Sequence, residues 1–176
     1  NSLIIANPKF NLDQRLSSIS KNKVLQPFSE LRSIDKKIYN FSNLIETQLE
    51  GEEISKIIDG KLLVRKNAST NNVLNYNKPK VLHFATHSVY ESQNLDSYLT
   101  PLINSGIALA GANNKGNFLD DGFLSALEFS KLDLEDTELV VVSGCESGVG
   151  ISDIRGESVY GLKRSIVVSG ARSSIL

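Results

Sequence analysis

An α/β domain built on a mainly parallel sheet is the fold class this sequence predicts, on three observations. Short apolar runs recur along the chain as "SLIIANP", "KLLVR", "VLHFAT" and "ELVVVS", each of strand length. Stretches with apolar residues at helical spacing fall between them. "ELVVVS" also lacks polar alternation, which is expected of a strand buried on both faces.

The elements follow in order. "SLIIANP" reads as a first strand stopped at Asn7-Pro8. Residues 11 to 49 form a polar excursion with scattered apolar residues such as Leu31, Ile34, Ile38 and Phe41, and room for one helix. "EGEEISKIIDGK" predicts a helix from Ile54, Ile57 and Ile58 at helical spacing, with acids in the first turn and Gly60 as its stop. "KLLVR" is the second strand. "ASTNNVLNYNK" predicts a short helix capped near Ser69 or Thr70, and Pro79 ends it before the third strand, "VLHFAT". After "LTPLINSGIALAG", the segment "ANNKGNFLDDG" is a loop by its Asn, Gly and Asp content. "FLSALEFSKLDL" predicts a helical turn or two, and "ELVVVS" the fourth strand. Val159, Leu162, Ile166 and Val167 then mark a helix over 156–169, Gly170 caps it, and "ARSSIL" starts a fifth strand.

A chain of 176 residues that is 40% hydrophobic and 22% charged has enough apolar residues for one sizeable core and few for two, so a single domain over 1–176 is expected. Nineteen basic residues nearly balance twenty acidic ones, which gives no reason to expect nucleic acid as a direct partner. The single cysteine excludes an internal disulfide framework and a cysteine-rich zinc site, and fits a reducing compartment such as the cytoplasm. No apolar run approaches the roughly 18 residues that cross a bilayer, so no membrane association is expected. Methionine is absent, and Asn1 is read as an internal residue of a longer protein.

In parallel sheets chemistry gathers at the carboxyl ends of the strands, near the point where strand order reverses. His87 follows the third strand and Cys145 the fourth, 58 residues later (145 − 87). A thiol attacks as its thiolate, and a nearby imidazole can take its proton and later protonate a leaving amine. Backbone N–H groups at the same strand ends can hold the oxyanion, and Ser88 and Cys145 are the candidates. Taken singly, a lone cysteine beside a buried strand is ordinarily a small core residue, and a strand-end histidine a satisfied hydrogen-bonding group.

The letters read together say more. "VLHFATHS", "PLINSGIALAGAN", "DGFLSALEFSKLDLEDTELVVVSGCESGVG" and "GESVYGLKRSIVVSGARSSIL" resemble, in order and spacing, the CHAT peptidase family, relatives of caspases and separases. The resemblance runs from about Pro79 to the last residue, while "SLIIANP" agrees more weakly and residues 9 to 50 match little. It implies a caspase-like three-layer sandwich with helices on both sides of the sheet. It also implies a dyad of His87 as general base and Cys145 as nucleophile, cleavage of a protein substrate, and no metal or other cofactor. Such domains commonly follow helical repeats, often tetratricopeptide repeats, so a regulatory repeat region in the same protein or complex is an implied partner. By the same resemblance the residue before the scissile bond would lie near Asn7 and Ser143, both uncharged.

Three departures stand out. Ser88 replaces a usual glycine, which would strain the oxyanion loop if a positive φ were needed there. Gly144 and Ser147 replace alanine and threonine, an expectedly milder change. The family domain also continues past the fifth strand with a further helix and strand, so the C-terminal part is expected to be missing from this chain. A catalytically silent, peptide-binding interaction module is therefore the alternative to a peptidase.

Other motifs rank lower. His83 and His87 share the spacing of a metal-binding pair but no third ligand is evident, and His83 is expected to be a buried structural histidine. "CESGVGI" has Ile151 where a cysteine phosphatase needs arginine, and "GVGISD" lacks the third glycine of a dinucleotide loop. Glu146 is expected in a structural hydrogen bond or in solvent, Asp120 and Asp121 in shaping a loop, and Arg172 in a pairing at the sheet edge. Gating is expected from the polar excursion or from the loop Tyr90 to Tyr98.

Overall fold

The computed structural model describes residues 1–12, 39–90, 102, 105–114, 122–144 and 157–176. Its elements are β1 (Leu3–Pro8), α1 (Ile45–Ile57), β2 (Lys61–Arg65), α2 (Thr70–Leu74), β3 (Val81–Ala85), β4 (Ser88–Tyr90), β5 (Ser105–Ala108), β6 (Phe123–Ser125), α3 (Ala126–Phe129), β7 (Leu139–Ser143), α4 (Glu157–Val168) and β8 (Ser174–Ile175). Five strands make one sheet in the order β2-β1-β3-β7-β8, with every neighbouring pair parallel. The mixed α/β architecture and the mainly parallel sheet flanked by helices agree with a caspase-like sandwich.

Residue alternation on the strands fixes the layers. Leu3, Ile5, Leu82, Phe84, Val140 and Val142 share one face and form a core with Phe129 of α3 and with Leu162 and Ile166 of α4. Ile4 and His83, one residue out of step, are paired in the register and point to the opposite face, where α1 lies. β1 is buried along its whole length, so its near-continuous apolar run is explained by cover on both sides. β7 departs from that expectation: Val140 and Val142 are buried, but Leu139 and Val141 on the other face are only half-buried.

α1 approaches the sheet through a glycine. A β-carbon placed on Gly51 would lie 2.8 Å from the β-carbon of Ala6 and 2.9 Å from Leu62 Cδ1, so two small residues let helix and strand come together. The helix starts five residues earlier than its sequence pattern implied, at Ile45. Its register also exposes Ile57, at 80%, while Ile54 and Ile58 are half-buried.

The predicted caps are present at two other helices. Ser69 caps α2 by accepting from the Asn72 N–H, and Gly170 after α4 takes φ +94, the left-handed conformation that suits glycine. α3 is held by a reciprocal capping box between Ser125 and Glu128. The three-stranded antiparallel sheet β4-β5-β6 was not anticipated; its strands of three or four residues are too short to show a period.

Among the described residues no helix is long and apolar enough to cross a membrane. Cys145, Glu146, Ser147, Ile151, Asp120 and Asp121 lie outside the described residues, as do the segment 91–98 and most of the polar excursion.

Candidate active site

The site is built where β3 and β7 end side by side. Their register pairs Ala85 with Ser143, the last residue of each strand. Ala6 of β1 stands level with Ala85, so Asn7, Thr86 and Gly144 are the next residue along each of three adjacent strands. Strand order reverses between β1 and β3, which is where ligands enter open parallel sheets.

Gly144 and Thr86 approach very closely. A β-carbon on Gly144 would sit 2.2 Å from the Thr86 carbonyl oxygen and 3.6 Å from the Ser88 nitrogen. Glycine in place of alanine is thus not a mild departure here, because this spacing has no room for a methyl group. Cys145 is joined to Gly144 by the next peptide bond, and His87 to Thr86 in the same way.

His87 is buried among rings. It stacks on Phe41, with centroids 5.1 Å apart and planes 23° from parallel, and packs on Phe10 at 5.3 Å. Its Nε2 lies 3.2 Å from the Ser42 carbonyl oxygen. A carbonyl can only accept, so this contact places the proton on Nε2 and leaves Nδ1 as the nitrogen with the lone pair. Burial lowers the pKa of the imidazole below its ordinary value near 6.5, and the Ser42 carbonyl opposes that in part. The shift favours the neutral form of the ring.

Ser88 opens β4 opposite Ile107 of β5. The preceding pair is bonded, with the Ala108 N–H donating to the His87 carbonyl at 2.8 Å, so Ser88 falls between hydrogen bonds and its N–H is directed away from β5. Its φ is not positive, so serine carries no backbone strain at this position. Thr86 secures the same junction from the other side, its hydroxyl donating to the Ala108 carbonyl at 2.8 Å.

Asn7 is a buried, bulged residue with φ 40 at the end of β1. Its amide group donates to Gln48 Oε1 at 3.1 Å and accepts from the Leu44 N–H at 3.3 Å, while its own N–H donates to Thr47 Oγ1 at 3.0 Å. The side chain therefore fastens β1 to the start of α1. Ser143, at the end of β7, is exposed.

His83 is buried and pairs with Glu50 of α1 at 3.0 Å through Nε2, joining helix and sheet on the face opposite the main core. Among the described residues, no group of three or more His, Cys, Asp or Glu side chains is placed to hold a metal ion. Arg172 is exposed just before β8, at the amino end of the sheet and away from His87.

A family model for the CHAT domain matches residues 1–176, the whole chain. The chain belongs to the CHAT domain family. CHAT domains are caspase-like in fold, and the mainly parallel sheet with its flanking helices is consistent with that frame. The curated proteins searched include none that matches this sequence. In this CHAT domain, Phe10, Phe41, Ser42 and Asn113 are the surroundings of His87 that strand-end reasoning missed. The one signal for them was the aromatic pair Tyr39 and Phe41, set two residues apart within an otherwise polar segment.

Proposed function

We propose that this CHAT domain is a cysteine endopeptidase in which His87 and Cys145 form a dyad. The observation that carries the proposal is His87 itself, a buried neutral imidazole with its proton placed on Nε2 by the Ser42 carbonyl, two residues beyond β3, the strand next to the one that leads to Cys145. Nδ1 takes the thiol proton, and the thiolate attacks the scissile carbonyl. The Ser88 and Cys145 N–H groups receive the oxyanion, each such donor being worth on the order of 10²-fold in rate or more. The imidazolium then protonates the leaving amine as the C–N bond breaks, and His87 activates a water that hydrolyses the thioester.

The side chain preceding the cut is uncharged and lies near Asn7 and Ser143, neither of which offers a countercharge. The substrate is a protein, and no resident cofactor enters the reaction. Activity is gated by a helical-repeat region, such as tetratricopeptide repeats, in the same protein or by a bound partner, in the cytoplasm. The silent interaction module is the weaker reading, because Ser88 occupies ordinary strand backbone and the base is held in one tautomer.

The test is cleavage of a diverse peptide library by the complete protein that carries this domain, with candidate partners added. Cleavage that disappears in both Cys145→Ala and His87→Ala supports the peptidase. Peptide binding without turnover, unchanged in Cys145→Ala, establishes the silent module instead.

A further inference from the structure

Three groups that touch the His87 ring among the described residues lead back to one residue. Phe41 and Phe10 pack against it, and Ser42 holds Nε2. The Asn113 side chain grips the Phe41 backbone at two points, accepting from its N–H at 2.8 Å through Oδ1 and donating to its carbonyl at 3.0 Å through Nδ2. The Asn113 backbone N–H donates to the Phe10 carbonyl at 3.1 Å. A carboxamide offers a donor and an acceptor side by side as a peptide does, so this grip imitates a rung of a β-ladder.

We propose that Asn113 is a positioning residue for His87, holding Phe41 against the ring and the Ser42 carbonyl on Nε2, and thereby fixing the tautomer on which proton transfer depends. The idea rests on His87 being the general base. Asn113 lies on the turn after β5, and Ala108 at the end of that strand is itself bonded to the His87 carbonyl, so turn and histidine share one frame. Adjacent Asn114 supplies a natural comparison. It grips the Leu12 backbone in the same two-point fashion, accepting from its N–H at 3.0 Å and donating to its carbonyl at 2.7 Å, but the residue it holds carries no ring to stack on His87. The two asparagines thus make equivalent grips, and the one at 113 holds the residue whose ring stacks on His87.

The experiment is a nitrogen-15 NMR titration of the imidazoles in Asn113→Ala and Asn114→Ala. The chain has two histidines, and His83→Gln assigns them. Asn113→Ala is expected to convert His87 from a single Nε2–H tautomer to a mixture and to move its pKa up toward the ordinary histidine value, since lost burial outweighs the lost carbonyl contact. Asn114→Ala is expected to leave both properties as in the parent. If Asn113→Ala does not fold, Asn113→Ser, whose hydroxyl is one bond shorter and loosens the grip while keeping a polar group there, is expected to shift His87 in the same direction. An unchanged His87 in the Asn113 variant, or an equal change in both variants, overturns the proposal. Cysteine-dependent cleavage is scored separately and decides whether His87 is a base at all, so failure of either idea is recognised apart from the other.

Discussion

Gly144 stands against Thr86 with no space for a side chain, and this contact sets the distance between the two strand ends that lead to Cys145 and His87. Gly144→Ala must push the Thr86 backbone away or loosen the β3–β7 ladder, because a carbonyl oxygen, unlike a side-chain tip, cannot rotate aside. Overpacking of this kind costs about 1–3 kcal/mol. A lower urea midpoint together with slower alkylation of Cys145 is the expected result, and a variant as stable and as reactive as the parent would show that the contact does not set the spacing.

Burial of neutral His87 links stability to pH. Its folded pKa is depressed below the unfolded value near 6.5, so the unfolded chain binds the proton more readily. The contribution is therefore complete above about pH 6.5 and is lost as the pH falls through the lower folded value, with a slope of at most about 1.4 kcal/mol per pH unit. His87→Gln retains a donor for the Ser42 carbonyl and does not titrate. The stability difference between parent and variant, from urea unfolding between about pH 7.5 and pH 5, should shift against the parent as acid is added. A difference independent of pH would contradict the assigned direction.

Gly51→Ala sets helix propensity against packing. Alanine favours α1 by about 1 kcal/mol over glycine. Its methyl would lie 2.8 Å from the β-carbon of Ala6, a buried atom with no rotamer to change, at an overpacking cost of about 1–3 kcal/mol. Packing is expected to prevail, so the thermal midpoint falls; a rise would mean that α1 slides off β1 at little cost.

Legibility in the sequence followed the range of the interactions. β1, β2, β3 and β7 were legible as apolar runs of strand length, although only β1 is buried throughout while β2 buries Leu63 alone and β7 one face, and α4 shows Leu162 and Ile166 one turn apart, both buried. The start of α1 left no trace, because Leu44 at its N-cap makes no side-chain capping bond. The strand ends were legible because an apolar run must stop somewhere. The surroundings of His87 were not: Phe10, Phe41 and Asn113 come from three separate segments, and no local period records that they meet.

The β3–β7 ladder has one further consequence, for the time before the protein is finished. Segments nearly sixty residues apart must find each other before the strand ends that lead to His87 and Cys145 can lie side by side, and pairings of such long range form late and slowly compared with local structure. A chain emerging with β1 to β6 complete has its histidine but no thiol beside it. Under the proposed chemistry, assembly of the sheet is thus a built-in delay that keeps a newborn hydrolase harmless until it has folded.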